Sequence, residues 1–247
     1  MGLTIPNISN LAGVSRPGRA SGSSLLLNSG GNNGVITLPL AFDIVSPATP
    51  QAVVSFWVNS VQDSPSSAIF ADTNLSNIMS LNGGVYVSGD KIQNNFRPSG
   101  TPLPALQALI SNASVPYTKN TWFNLVMRFN GPNNFIDFFI NGERQTANQS
   151  TQTTNTYTSQ YIGNSDSLSY PLRGYITQVS LFKGSLSDNE ISTILYDSGK
   201  PGDISSLNPF AWYKLDEGKN NVALDSGSGA NDASISGTFK WSTIFPS

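Results

Sequence analysis

One short segment near residue 190 carries a complete set of helix signals, whereas the rest of the chain is patterned like β-strands. Ser187 can cap the first helical turn, and Glu190, three residues later, can return a hydrogen bond to the cap, which is the capping-box pattern. Leu186 and Ile191 stand at the two positions of a hydrophobic staple. A glycine and then a proline follow and mark where such a helix ends. The sequence therefore predicts one short capped helix near 188–198.

The remaining chain divides into short apolar or alternating runs separated by turn residues. Roughly a dozen such runs recur at intervals of about 8–12 residues, which is typical of an antiparallel sandwich. The run 135–140 is followed by Asn141 and Gly142, the pair that a type I′ hairpin turn favours. Two more hairpins are predicted, joining 24–27 to 35–38 and 78–81 to 85–87. A helical turn is predicted at 106–110, and the polar stretch 148–159 is either an exposed strand or a loop.

The composition excludes several classes of function. Charged residues make up 11% of the chain, against roughly 25% in typical domains. The net charge is -2 and no basic run occurs, so we expect no nucleic-acid partner. Neither histidine nor cysteine occurs, which removes disulfides, thiolate metal sites and histidine-based catalysis. No apolar run is long enough to span a membrane, so we expect no membrane partner either.

The first 20 residues are predicted to form an extended N-terminal arm rather than part of the sandwich. Glycine and proline interrupt regular structure there, and no signal-peptide pattern is present. The arm is either a frayed terminus or an extension that orders on a partner. The residues that would bind that partner are apolar or basic: Leu3, Ile5, Ile8, Leu11, Val14, Arg16 and Arg19.

Three stretches, taken in order, resemble a known family. Trp122 and the strand behind it, the run 139–142 (FING), and the run from Gly174 to Ile191 match a tryptophan strand, an Asn-Gly hairpin and a strand-to-helix ending. Together they resemble the concanavalin A-like jelly-roll domains of the laminin-G and pentraxin type. The resemblance covers about 21–198 and implies an all-β, antiparallel jelly-roll β-sandwich over 21–247. We expect 207–247 to complete the same sandwich.

The resemblance raises the possibility of a glucanase, since the same sandwich hosts such enzymes. A retaining glycosidase needs two carboxylates about 5–5.5 Å apart, and in these glucanases alternate positions of one strand supply them. The chain has three glutamates, Glu143, Glu190 and Glu217, and no strand carries carboxylates at such spacing. Arg128 and Arg173 are isolated in the sequence. We therefore expect a protein that is not an enzyme, with a β-glucanase-like glycosidase as a remote alternative.

The resemblance also implies two kinds of binding site. Many relatives hold Ca²⁺ at a sheet rim, and Asp72, Asn74, Asn164 and Asp166 are the candidate ligands here, although Asp and Asn are also common in turns. We expect no obligatory cofactor. Sugar sites in such domains pair an aromatic ring with amide or carboxylate groups, and the candidates in polar surroundings are Tyr86, Tyr157, Tyr161 and Tyr170. The apolar strands around Trp57, Trp122 and Trp212 predict that these three rings belong to the core.

The tail at 207–242 resembles the tails of lectin-like structural proteins of tailed bacteriophages. This resemblance implies a non-enzymatic virion structural protein, such as a capsid decoration, head fibre or tail-associated subunit, with its lectin-like domain facing outward from the virion surface. Its partner would be the major capsid protein or another virion protein, bound through the arm, and a trimer is plausible. The alternative is an extracellular carbohydrate-binding adhesion module that binds host-surface glycans and is not built into a particle.

Overall fold

The computed structural model describes residues 22–45, 51–61, 67–71, 77–82, 91–96, 107–110, 118–130, 135–145, 157–165 and 167–247. These residues form strands, listed here in chain order: β1 (Ser24–Leu27), β2 (Val35–Val45), β3 (Gln51–Ser60), β4 (Ser67–Ala71), β5 (Asn77–Asn82), β6 (Lys91–Phe96), β7 (Gln107–Ile110), β8 (Phe123–Asn130), β9 (Phe135–Ile140), β10 (Glu143–Gln145), β11 (Tyr157–Ile162), β12 (Gly174–Lys183), β13 (Tyr196–Asp197), β14 (Lys200–Pro201), β15 (Ala211–Tyr213), β16 (Val222–Ala223), β17 (Ala233–Ser236) and β18 (Phe239–Ser242).

The strands build two large antiparallel sheets. Sheet A has the order β10-β9-β8-β3-β12-β1-β18, with β15 also paired to β12, and sheet B has the order β16-β17-β2-β11-β4-β5-β6-β7. The main core contains apolar side chains from both sheets, such as Phe56 of β3 and Phe70 of β4, whose ring centroids lie 5.7 Å apart. The predicted all-β, antiparallel sandwich is confirmed. The strands after residue 207 join both sheets, since β15 and β18 lie in sheet A and β16 and β17 in sheet B.

Alternation along β8 and β9 gives sheet A apolar side chains on both of its sides. Phe123, Leu125, Met127 and Phe129 point into the main core, and Val126 between them joins a second apolar cluster on the outer side of sheet A. Asn141 and Gly142 link β9 to β10 with φ of 52° and 76°. Positive φ at both positions is what a type I′ turn requires, so the predicted Asn-Gly hairpin is confirmed.

The predicted helix is present but shorter than expected. Ser187 and Glu190 form the capping box, and α1 (Asp188–Glu190) passes into a turn of π-helix at Ile191–Leu195. The helix does not reach residue 198, because Tyr196 and the following residue form β13 and pair with β14. Gly199, with φ of 96°, lies in the turn between these two strands, so it ends the helix by starting a hairpin rather than by capping it.

Three other local predictions are wrong. The run 24–27 does not form a hairpin with 35–38, because β1 pairs with β12 and β18 in sheet A whereas β2 lies in sheet B. The strand β5 pairs with β6 rather than with 85–87, which lies outside the described residues. Residues 107–110 form β7, the edge strand of sheet B, instead of a helical turn. A run this short cannot separate a period of 3.6 from a period of 2.

The seven residues between β1 and β2 explain how the chain changes sheet. Packed sheets lie about 10 Å apart, a distance that a loop of this length spans easily. Asn28 fixes the loop, because its side-chain amide donates to the carbonyl oxygens of Gly34 (3.1 Å) and Leu172 (3.0 Å). Its side-chain oxygen accepts the backbone N–H of Gly34 at 2.6 Å. The Gly- and Asn-rich sequence therefore serves a crossing between the sheets.

Candidate functional site

The outer face of sheet A, which points away from the main core, is the most chemically distinctive surface that the structure describes. On β3 the inward side chains are apolar, including Val54, Phe56 and Val58. The outward positions alternate with them and are polar or aromatic: Ser55, Trp57 and Asn59. No charged side chain occurs on β3, or on β12 before its last residue. The part of this face that β3 and β12 form therefore combines aromatic rings with uncharged hydrogen-bonding groups, whereas the charged side chains Arg128 and Asp137 lie further out, on β8 and β9.

At one end of this face Trp122, Tyr175 and Asn59 form what we call the aromatic–amide patch. The rings of Trp122 and Tyr175 are tilted by 47° with centroids 6.2 Å apart, and both residues are partly exposed. Asn59 stands opposite Tyr175 in the pairing of β3 with β12. Asn120 turns the chain so that Trp122 reaches the sheet. Its φ is 58°, and its backbone N–H donates to the Ser60 carbonyl at 2.9 Å.

Two polar atoms of the aromatic–amide patch are buried without a hydrogen-bond partner among the described residues. They are the indole Nε1 of Trp122 and the side-chain Oδ1 of Asn59. A buried donor or acceptor left in this state costs about 1–3 kcal/mol. The patch therefore holds hydrogen-bonding capacity that the described protein groups do not use.

Further along the same face lies what we call the covered patch, made by Trp57, which lies under the ring of Tyr196, and by Asn124 and Ser180 on the two strands that flank β3. Tyr196 stacks on Trp57 with an interplanar angle of 15° and centroids 5.7 Å apart. Asn124 stands opposite Trp57 in the pairing of β8 with β3. The side-chain Oδ1 of Asn124 and the Oγ of Ser180 are buried without a described partner. This patch thus repeats the combination of rings and unused polar atoms.

A small cavity lies beside the covered patch. It has a volume of about 10 Å³, and Ser180, Gln178 and Trp212 are among its lining residues. Gln178 has φ of 49° at the β-bulge of β12, and its side-chain oxygen accepts the Trp212 indole N–H at 2.9 Å. Such a volume suits about one water molecule.

Trp57 and Trp212 are buried, as their apolar strands predicted, whereas Trp122 is partly exposed.

Residues 186–204, which we call the cover segment, pack over the outer face of sheet A. Leu186, Ile191 and Leu195 lie in an apolar cluster with Val126 and Phe139 of the sheet. The second half of this segment, from Tyr196 onward, carries the hairpin of β13 and β14 and ends just before a 3₁₀ turn that starts at Ser205. The apolar cluster therefore holds the helical part of the cover segment against the sheet.

Arg128, which looked isolated in the sequence, anchors the cover segment. Its guanidinium donates to Asp137 Oδ2 (2.7 and 3.0 Å), to the Leu186 carbonyl (2.8 Å) and to Asp188 Oδ1 (2.7 Å). Burial by itself would lower the pKa of Arg128, but the hydrogen bonds and charges of the two aspartates outweigh burial and leave the pKa raised. Arg128 is thus isolated along the chain but not in the fold, where carboxylates from other segments meet it. Arg173 donates to the Asn32 side chain at 2.7 Å.

Of the four tyrosines singled out in the sequence, the two whose side chains the structure describes, Tyr161 and Tyr170, lie with sheet B and not in either patch. Tyr161 stands in β11 opposite Thr37 and Ala71, within sheet B. The backbone carbonyl of Tyr170 accepts the N–H of Ala68 in β4 at 2.9 Å, so it also lies beside sheet B. The backbone of Tyr157 belongs to β11 as well, although its side chain is outside the described part. Tyr86 and the whole arm, from Leu3 to Arg19, are likewise outside the described residues.

Asn164, the one candidate calcium ligand whose side chain is described, is buried and occupied by the backbone. Its Oδ1 accepts the N–H groups of Ser165 (2.9 Å) and Tyr170 (3.2 Å), and its amide donates to the Asn32 carbonyl at 2.8 Å. Asp72, Asn74 and Asp166 lie outside the described residues. Within the described ranges, no group of three or more His, Cys, Asp or Glu side chains could hold a metal ion.

The glutamates serve local structure where their contacts are described. Glu190 Oε2 accepts the N–H of Ser187 at 2.7 Å in the capping box, and Glu217 Oε1 accepts the N–H of Leu224 at 3.0 Å. The hydrogen bonds from the Ser187 hydroxyl and backbone lower the pKa of Glu190. Glu143 is exposed at the start of β10.

No helix in the described part of the chain is long and apolar enough to cross a lipid bilayer.

The fold and a family comparison define the class of protein. The Laminin_G_3 profile, described as the concanavalin A-like lectin/glucanases superfamily, matches residues 30–192, and the chain belongs to this family. The jelly-roll architecture inferred from the resemblance is thereby confirmed. No curated protein sequence matches the chain.

Several solved structures share the fold. A Bacteroides ovatus protein proposed to bind carbohydrate is 16% identical with a TM-score of 0.66, over 91% of this chain and 61% of that one. The heptameric SAP-like pentraxin of Limulus polyphemus is 9% identical with a TM-score of 0.53, over 71% and 82%. The receptor-binding domain of a botulinum neurotoxin of mosaic serotype C/D is 16% identical with a TM-score of 0.51, over 83% and 52%. The chain thus spans about three fifths of the Bacteroides protein, and the likeness shows the fold alone.

The sequence did not single out the two patches, although a signal was present. Ser55, Trp57 and Asn59 alternate with three apolar residues in β3, which marks a face that is polar and aromatic. The run 52–58 also fits a buried apolar strand, and that interpretation assigns Trp57 to the core. Tyr175 and Tyr196 lie in segments that are remote along the chain, so only the fold shows that they meet this face.

Proposed function

We propose that this chain is a non-enzymatic carbohydrate-recognition protein that binds glycans through the aromatic–amide patch. The observation that carries the proposal is the tilted, partly exposed pair of Trp122 and Tyr175 beside the amide of Asn59. An aromatic ring offers an apolar surface to the C–H face of a sugar, and neighbouring amide groups fix its orientation through hydroxyl hydrogen bonds. The family and the Bacteroides protein proposed to bind carbohydrate support the same function.

The surroundings of the patch favour an uncharged ligand surface over a catalytic one. The strands β3 and β12 place no carboxylate on this face. Two of the three glutamates of the chain accept local backbone hydrogen bonds elsewhere. A glycosidase needs a pair of carboxylates at the scissile bond. This distribution of carboxylates supports recognition without chemistry.

The proposal is tested by a glycan array followed by calorimetric titration with the best ligand. Tyr175→Ala should weaken binding about tenfold or more, because a central aromatic contact of an interface contributes more than about 1.4 kcal/mol. Tyr161→Ala, which removes a tyrosine of sheet B, is the matched control and should leave the affinity unchanged. Loss of binding in Tyr161→Ala or Tyr170→Ala with Tyr175→Ala unaffected would move the site to sheet B. No binding to any glycan would refute the proposal.

A second function, a structural subunit of a tailed-phage virion, is favoured by the sequence of the arm. Its apolar residues, from Leu3 to Val14, are spaced between glycines and prolines and are followed by Arg16 and Arg19. Such a segment can order on a neighbouring shell protein and bury its apolar side chains there. The sandwich would then face outward from the particle, and its glycan-binding face would contact the host surface.

The two functions are compatible, and one experiment tests the second. Mass spectrometry of gradient-purified particles should find the chain in a fixed ratio to the major capsid protein. Deletion of residues 2–20 should abolish attachment while the far-ultraviolet circular dichroism of the chain stays unchanged. Absence from particles, or attachment of the shortened chain, would contradict the structural role and leave a free adhesion module.

A further inference from the structure

The stack of Tyr196 on Trp57 has the geometry of a platform that is already occupied. The two rings are nearly parallel, and Trp57 is 2% exposed whereas Tyr196 is partly exposed. A sugar ring that binds an aromatic platform lies on it face to face in the same way. Tyr196 thus covers one face of the Trp57 ring.

The sheet beneath this stack holds polar atoms that nothing described satisfies. Asn124 and Ser180 are both 0% exposed and flank β3 on its two neighbouring strands. The Asn124 amide donates to Ser55 Oγ at 3.1 Å and to the Phe56 carbonyl at 3.3 Å, which fixes the direction of its free Oδ1. Each unmet group costs about 1–3 kcal/mol. Sugar hydroxyls, which both donate and accept, are able to satisfy an amide oxygen and a serine hydroxyl together.

Residues other than Tyr196 hold the helical part of the cover segment on the sheet. Ile191 and Leu195 are 0% and 3% exposed, so the helical part is packed firmly on the sheet. Tyr196 follows the turn of π-helix, an irregularity that is frequent at functional sites. Within the described residues no hydrogen bond holds its hydroxyl group.

We propose that Tyr196 is a gate that stands in for a sugar ring on Trp57, and that its rotation opens the covered patch as a second subsite for an uncharged oligosaccharide. This inference rests on the proposed function, since it extends the same face. Trp57 and Asn59 are two residues apart on β3, so the two patches lie about 7 Å apart along the strand. Neighbouring units of one glycan chain can bridge that distance. The ligand class is uncharged because β3 and β12 carry no charged side chain between the two patches.

The test follows Trp57 directly by ¹⁹F NMR of the protein labelled with 5-fluorotryptophan. Trp57→Phe and Trp122→Phe assign the two resonances. A neutral oligosaccharide chosen from the glycan array should shift both resonances of the wild-type protein, whereas the corresponding monosaccharide should shift that of Trp122 alone. Tyr196→Ala should bind the oligosaccharide about three- to tenfold more tightly, because the competing ring contact is lost. Tyr196→Phe keeps the ring and should behave like the wild type.

The outcomes separate the gate from the function on which it rests. A shift of Trp122 without any shift of Trp57, in both the wild type and Tyr196→Ala, would refute the gate and keep the aromatic–amide patch. No shift of either resonance would refute the proposed function itself. Equal affinities of Tyr196→Ala and Tyr196→Phe for the oligosaccharide would also overturn the gate. The measurement on the wild type stands even where the alanine variant fails to fold.

Discussion

Replacement of Arg128 by methionine tests whether its ion pairs hold the cover segment on sheet A. Methionine keeps much of the aliphatic length that packs beside Phe139, whose ring centroid lies 5.0 Å from the guanidinium carbon. The change removes the hydrogen bonds to Asp137, Asp188 and the Leu186 carbonyl. The perturbation therefore removes charge and hydrogen bonding at one point where β8, β9 and α1 meet.

The expected loss of stability follows from burial. The side chains of Arg128 and Asp137 are 12% and 13% exposed, so the pair lies between a surface pair and a buried pair. Breaking a fully buried pair costs about 3–5 kcal/mol. Arg144 still contacts Asp137 Oδ1 at 2.6 Å, which offsets part of the penalty for the stranded carboxylate. We expect Arg128→Met to lower the free energy of unfolding by about 2–3 kcal/mol.

Arg144→Met is the matched control, because the Arg144 side chain is 52% exposed and contacts the same aspartate. It should cost less than about 1 kcal/mol. Equilibrium unfolding in urea, followed by tryptophan fluorescence, measures both variants on one scale. If Arg144→Met costs as much as Arg128→Met, then burial does not decide the strength of these pairs and the reasoning is wrong. Arg128→Lys, which keeps the charge but loses the planar fork, should fall between the two.

Two further predictions concern the turn and the cap that flank the cover segment. Gly142→Ala should lower the free energy of unfolding, measured in urea, by more than Gly218→Ala does. Both glycines have positive φ, so backbone strain is common to the two variants. An added Cβ at Gly142 lies 3.0 Å from the Tyr196 ring, whereas one at Gly218 meets open space. Equal losses would show that backbone strain alone acts. The hydrogen bonds from Ser187 lower the pKa of Glu190 below its ordinary 4.5, so its stabilisation is present above about pH 4.5 and is lost as the pH falls further. Glu190→Gln should remove this part of the pH dependence of the urea midpoint, and an unchanged profile would contradict the capping role.

Local sequence signals predicted those parts of the fold that a few neighbouring residues decide. The capping box at Ser187 and the turn at Asn141 and Gly142 formed as expected, because each depends on groups within three residues of one another. The partners of β1 were not predictable in this way. Leu25 pairs with Ile176 and Trp241, and no pattern between residues 24 and 38 states which sheet each strand will join.

The candidate site was harder to predict because it depends on which rings meet. The sequence favoured tyrosines in polar surroundings, and Tyr161 and Tyr170 lie with sheet B. Trp122 and Tyr175 are far apart in sequence and meet only because β12 runs beside β3. Unpartnered buried atoms such as Asn124 Oδ1 leave no trace in the sequence, since any asparagine is equally able to find a partner.

The position of β1 between β12 and β18 in sheet A has a consequence for how the protein is made. Its neighbours β12 and β18 lie more than a hundred residues later in the chain. A ribosome therefore releases β1 long before either partner strand exists, and the apolar side chains of Leu25 and Leu27 must wait uncovered during translation. Closing such long loops is slow, and exposed strand edges favour aggregation in the meantime. We expect that the yield of folded protein in a cell depends on chaperones that shield this first strand until its partner strands have been made.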